Sequence, residues 1–173
     1  DDLPPIIATT YFDQDRTQEG VAYLRGMIDS QVAANPTPNP NWIDIAFSAA
    51  YNNDLALDAI NLAALNVQYH PNEKNWRNAV AVQRNLIDMT DDIQLDLMRL
   101  AARTGTLQDG RDYADYIEAA DPRRLPGEVE TVLDEALAKG ALKAEEPFVA
   151  DVRQTINSRL AADRAELPDL ERD

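Results

Sequence analysis

The chain has no cysteine in its 173 residues. Disulfides, thiolate metal sites and cysteine nucleophiles are therefore excluded, and such a chain suits either redox environment. Histidine occurs once, at His70. A lone His without Cys does not make a usual zinc site, and its place beside Pro71 reads as a solvent-exposed helix end. Glycine numbers only six, and no Gly-rich phosphate loop, nucleophile elbow or metalloprotease motif occurs. No apolar run reaches the length of a membrane span. Basic residues are few, 16 against 31 acidic, for a formal charge of −15. Residues 1–72 hold only Arg16 and Arg25 as basic groups. That balance disfavours nucleic acid, which needs clustered Lys and Arg, and anionic membranes. It fits basic partners or simply a solvated acidic exterior.

What is present is a globular composition, 45% hydrophobic and 27% charged. Alanine is abundant and β-branched residues are scattered, a bias toward helix. The length suits one domain or about four helix pairs. The sequence opens Asp1-Asp2-Leu3 without Met, which reads as a processed product or an excised fragment.

The pattern centres on residues 39–88. Asn41-Trp42 and Asn75-Trp76 stand 34 residues apart. Each follows a Pro/Asn turn, and each opens an amphipathic run. Residues 1–16 read as an irregular lead-in, since Pro4-Pro5 interrupts regular structure. Thr17 is placed to cap a helix carrying Val21, Leu24, Ile28 and Val32 on one face, which Asn35-Pro36 ends. Asn41 and Asp54 are placed to cap the next two helices, the second carrying Ala59, Leu62, Ala63 and Asn66. Trp76, Ala79, Val80, Val82 and Leu86 form the following stripe. Beyond Asp91, a caps-and-faces reading gives Ile93, Leu97, Leu100 and Ala101 as one face and Gly105 as its C′ residue. Tyr113, Tyr116 and Ile117 then share a short helix. Pro126 sits in the first turn of the next, which carries Val129, Val132, Leu133 and Ala136 and ends at Gly140. Phe148, Val152, Ile156 and Leu160 mark a last helix that Pro168 should end, leaving residues 165–173 as a frayed charged tail. The expectation is an all-α chain of seven to eight helices, with the repeat domain over residues 17–164.

These features resemble the tetratricopeptide repeat, a 34-residue helix-turn-helix unit, in the degenerate form found in exported alphaproteobacterial proteins. The resemblance rests on Asn41-Trp42, Asn75-Trp76, Ala59, Ala63, Pro71 and the run Gly110-Arg111-Asp112-Tyr113-Ala114 leading to Leu125-Pro126-Gly127-Glu128. It covers about residues 17–160. Counting back from Pro71, the family's Trp position falls on Ile43, one residue beyond Trp42. The resemblance implies a right-handed α-solenoid of antiparallel helix pairs. Its groove would grip a peptide or partner helix. It also implies a periplasmic or exported location, no shared catalytic residues and no cofactor. Trp42, Trp76, Ala59, Ala63 and Pro71 would then be packing positions that define the repeat.

An enzyme needs a site, and the residues offer one candidate. Asp88, Asp91, Asp92 and Asp96 include two carboxylates one helical turn apart, the spacing of carboxylate metal sites. The plainer reading is that Asp91 caps a helix, Asp92 complements its positive end, and Asp96 pairs with solvent or Arg99. No Glu-x-x-His partner supports a di-iron bundle. Tyr113, Tyr116, Arg123 and Arg124 are the candidate groove contacts, because Tyr and Arg are favoured at binding hot spots. The leading expectation is a non-enzymatic scaffold for a protein or peptide partner. Three alternatives stand beside it: a segment of a larger solenoid or a self-assembling protein, an acidic mimic of nucleic acid, and a carboxylate metalloenzyme.

Overall fold

The computed structural model describes residues 3–34 and 37–170, the side chains of 163–170 excepted. Every regular element among the described residues is a helix: α1 (Leu3–Phe12), α2 (Thr17–Ala34), α3 (Pro40–Asn52), α4 (Ala56–Tyr69), α5 (Glu73–Leu86), α6 (Asp91–Arg103), α7 (Gly110–Ala120), α8 (Pro126–Ala138) and α9 (Pro147–Leu170). The chain divides into two compact units, Asp1–Met89 and Thr90–Asp173. In both, consecutive helices pack on one another, α1 through α5 in the first and α6 through α9 in the second.

In the first unit, residues 3–12 are helical rather than an irregular lead-in. Pro4 and Pro5 fall in the first turn, where the missing N–H has no intrahelical partner to lose. The Thr9 and Thr10 hydroxyls donate to the Pro5 and Ile6 carbonyls at 2.9 and 3.0 Å. Pro5 and Ala8 face inward. Gly20 on α2 makes this approach possible, for a Cβ there would lie 2.4 Å from the Phe12 ring. The core of the unit joins Ala8, Val21, Leu24 and Ile28 to Ile43, Phe47, Leu62 and Val82, with Ala46, Ala50, Ala59 and Ala63 where helices come close.

Several caps differ from the expected ones. Thr17 is the first helical residue of α2 rather than its cap. Asn39, not Asn41, caps α3, its side chain accepting from the Asn41 N–H at 2.9 Å, and Pro40 takes the first helical position. Asp54 adopts φ +56, a left-handed conformation that Asp tolerates, and Leu55 precedes α4 without a side-chain cap. Asn72 caps α5. The two Asn-Trp dipeptides therefore sit one residue out of phase relative to their helix starts. The expected helix stop at Asn35-Pro36 lies outside the described residues.

In the second unit, Thr90 precedes α6, and Asp91 is its first residue rather than its cap. The buried face of α6 is Leu95, Met98 and Ala101, while Ile93 and Leu100 point outward. Asp109 caps α7 by accepting from the Arg111 and Asp112 N–H groups. Gly105 and Gly140 take φ +70 and +71, as helix-ending glycines do. Helix α9 runs past Pro168 to Leu170, so residues 165–170 are helical rather than a frayed tail. A proline so near a helix end removes only one hydrogen bond. Residues 171–173 lie outside the described residues.

A repeat emerges in the buried positions, at an interval of 70 residues, not a multiple of the 34 that separates the dipeptides. Ile43, Ala46, Phe47 and Ala50 of α3 recur 70 residues later as Tyr113, Tyr116, Ile117 and Ala120 of α7. Ala59, Leu62, Ala63 and Asn66 of α4 recur at the same interval as Val129, Val132, Leu133 and Ala136 of α8. Leu55 and Leu125, also 70 apart, each precede a helix with no side-chain cap. The two units thus contain helix pairs of matching pattern and different packing volume.

Candidate functional site at the α7–α8 connection

The expected contacts Tyr113, Tyr116, Arg123 and Arg124 all lie around the α7–α8 connection, but they do different things. Tyr113 and Tyr116 are 1% and 5% exposed, which corrects their assignment as groove contacts: their rings fill the core where the first unit has Ile43 and Ala46. Each hydroxyl reaches a carboxylate on α8. Tyr113 donates to Glu135 at 3.0 Å and Tyr116 donates to Glu128 at 2.8 Å. Burial raises the Tyr113 pKa and pushes that of Tyr116 up to about 12.

Glu128 is the hub. The Arg99 guanidinium of α6 grips it with two parallel bonds of 2.8 and 2.7 Å and also donates to Asp96 at 3.0 Å. This fork geometry matches a planar carboxylate. The Arg99 bond holds the Glu128 carboxyl below the usual carboxylate range, with Tyr116 adding to it, and Glu128 in turn raises Arg99. A second hub forms at Glu135. Lys139 donates to it at 2.6 Å and lies 5.8 Å from the Tyr113 ring centroid. Its ammonium lowers Glu135 and is itself raised. These networks tie α6, α7 and α8 together. Only the Asp96–Arg99 pair was expected from the sequence; partners such as Arg99 and Glu128 are 29 residues apart and no local pattern links them.

The connection itself is set by Asp121, whose φ is +53 and whose side chain accepts from the Arg123 N–H at 2.9 Å. Arg124 turns back to Asp92 on α6 at 3.0 Å. Arg123 instead lines a cavity of about 380 Å³ with Gln154, Thr155, Ser158, Arg159 and Ala162 of α9. The Arg123 guanidinium makes no ion pair among the described residues.

The remaining candidates fall elsewhere. Asp88, Asp91, Asp92 and Asp96 are exposed, Asp92 and Asp96 paired with Arg124 and Arg99. No group of three or more His, Cys, Asp or Glu among the described residues is placed to hold a metal. His70 is half-buried rather than a free helix end. Its Nε2 lies 2.8 Å from the Pro38 carbonyl, an acceptor that requires that nitrogen to carry the proton. Asn75, 5% exposed, donates to the His70 carbonyl at 2.8 Å, so the asparagine of the second dipeptide locks the α4–α5 turn. Ala59 and Ala63 are buried in the core, and Trp42 packs against it half-buried. Trp76 is half-buried and Pro71 exposed. Asn66, 1% exposed, donates to Asp44 at 2.9 Å, and Lys74 donates to the other Asp44 oxygen at 2.8 Å. The Asn66 Oδ1 is buried without a donor among the described residues.

Comparison with known protein families, curated proteins and solved structures finds no match. No helix among the described residues is long and apolar enough to cross a membrane.

Proposed function

We propose that this chain is a non-enzymatic scaffold of the tetratricopeptide-like kind, a right-handed α-solenoid that binds a segment of a protein partner along the first helix of each pair. The observation that carries the reading is the recurrence of matched buried positions at 70 residues between α3–α4 and α7–α8. That interval is close to two 34-residue repeats. Stacked helix pairs of this kind leave outward-facing side chains on one helix of each pair for recognition. Ser48 on α3 and Glu118 on α7 occupy equivalent exposed positions. The acidic balance favours a basic partner, and an exported location belongs to the same reading.

Affinity capture from lysate and envelope fractions of the source cell tests it, with Ser48→Arg and Glu118→Arg variants run separately. A protein retained by the wild type and lost in either variant supports the groove. Equal retention by all three would move binding elsewhere, and retention of nothing at low or moderate salt would sink the scaffold reading.

A second reading is assembly with another copy of the chain. It is favoured by the outer side of α1, where Leu3 and Ile6 are 59% and 64% exposed. Sedimentation of the purified chain separates the two, since this reading requires a concentration-dependent oligomer.

A further inference from the structure

We propose that copies of this chain join head to tail, the outer face of α1 on one copy packing against an apolar stripe of α6 on the next. The proposal rests on the assembly reading and names both sides of its contact.

The receiving face lies on α6. The inner face of that helix, Leu95, Met98 and Ala101, is buried. Ile93, Leu97 and Leu100 follow one another at steps of four and three on a second face. Ile93 is 56% and Leu100 37% exposed, and Leu97 is half-buried. The first unit covers the matching face. The 70-residue interval pairs Met98 with Ile28, both fully buried, and it pairs Ile93 and Leu97 with Tyr23 and Met27. There α1 packs on α2, and the Tyr11 ring of α1 lies 6.3 Å from that of Tyr23. Helix α6 thus carries the face on which α2 takes a further helix.

The docking face lies on α1. Leu3, Ile6 and Thr10 point outward at steps of three and four, while Pro5 and Ala8 turn in. The helix includes no charged residue. The Asp13 N–H donates to the Thr9 carbonyl at 2.9 Å. That bond continues the helical pattern, so Asp13 extends the outward stripe by one more step of three.

Charge selects a second copy as the occupant. Copies carrying −15 each repel, so a contact between them needs faces without open acids on both sides. On α6, Asp96 is paired with Arg99 and Asp92 with Arg124. Arg103 makes no ion pair among the described residues. As a cation in the last turn it complements the helix dipole, which leaves its guanidinium fork unfilled. Asp13 likewise makes no ion pair among the described residues. Asp13 stands ten positions after Leu3, and Arg103 ten after Ile93, about 15 Å of helix in each case. Laid parallel, the stripes set Leu3 beside Ile93, Ile6 and Thr10 beside Leu97 and Leu100, and Asp13 beside Arg103. Such a contact is heterologous: each copy offers one face and receives on the other.

Sedimentation of the full chain from about 10 μM to 1 mM tests it, the range suited to a contact between two short helix faces. The average mass of the wild type should rise with concentration. Ile6→Glu and Ile93→Glu change exposed residues in first turns, where an acid suits the helix dipole. Each alone should stay monomeric. Mixed in equal amounts they should form a two-chain complex and nothing larger, because the intact α1 of the Ile93→Glu chain meets the intact α6 of the Ile6→Glu chain. Asp13→Lys should weaken wild-type association by up to about fivefold, as loss of an exposed ion pair does, and adding Arg103→Glu should restore it. Circular dichroism verifies that every variant keeps its helices. Either glutamate variant assembling like the wild type, or a mixture that stays monomeric, would overturn this contact while the assembly reading stands. A wild type that is monomeric at the highest concentration sinks both.

Discussion

Replacing Tyr116 by Phe removes one hydroxyl and preserves the ring that fills the core. The hydroxyl donates to Glu128 at 2.8 Å from a side chain that is 5% exposed. A hydrogen bond to a charged acceptor contributes about 1.5–3 kcal/mol. The Glu128 side chain is 25% exposed, so water replaces part of the lost bond and the low end, about 1.5 kcal/mol, is expected. With a urea dependence of about 2 kcal/mol per molar, the unfolding midpoint followed by circular dichroism falls by about 0.7 M. The pH dependence adds a signature that a packing defect lacks. Arg99 first, and Tyr116 after it, hold the folded Glu128 pKa down. A depressed folded pKa gives stability that is present above the unfolded value of about 4.3 and is lost as pH falls through the folded one. Part of that stability comes from Tyr116, so the gap between wild type and variant is full at neutral pH and narrows in acid. Tyr116 itself is pushed up to about 12, chiefly by burial. A raised folded pKa gives stability present below the unfolded value of about 10 and lost as pH rises through the folded one. The variant lacks that group, so the gap narrows in alkali too. An unchanged midpoint, or a gap flat across the whole pH range, would refute the assignment of this hydroxyl.

Two further outcomes follow from close contacts. A Cβ at Gly110 would lie 2.6 Å from the Ala141 carbonyl oxygen, and one at Gly127 meets nothing within 4 Å. Gly110→Ala should therefore lower the unfolding midpoint, whereas Gly127→Ala leaves it unchanged or raises it, since alanine is about 0.5–1 kcal/mol better than glycine in a helix. In the first unit, Asp44 and Asn66 stand where the second has Ala114 and Ala136. The Asp44→Ala, Asn66→Ala double variant should lose less stability than the single losses add to, because Asp44→Ala alone strands the buried Asn66 amide and the double variant does not. Strict additivity in urea titrations would contradict the interaction.

Much of the helical layout was legible from local chemistry. The apolar face of α2, proline in the first turn of α8, and glycines at 105 and 140 each express a preference of the residue itself or of its neighbours within one turn. Caps were less legible. Asn39, Asn41, Asn72 and Asn75 are all competent cappers, and only the packed helix ends decide which of them caps and which, like Asn75, closes a turn. The Asn-Trp spacing of 34 residues drew attention to the dipeptides. The interval at which buried positions recur is 70, visible only once burial separates core positions from outward ones.

The candidate site divides in the same way. Composition and spacing picked out Tyr113, Tyr116, Arg123 and Arg124 as one group. Packing sorted them into two core tyrosines, one arginine bound to Asp92 and one facing a cavity. By itself the sequence determined an all-helical chain, because alanine content, helical periodicity and end signals act within a few residues. The tertiary structure decided which tyrosines are buried and which carboxylate each charge meets. Those outcomes depend on side chains 12 to 32 positions apart in the chain, which only the packing of one helix against the next brings within reach.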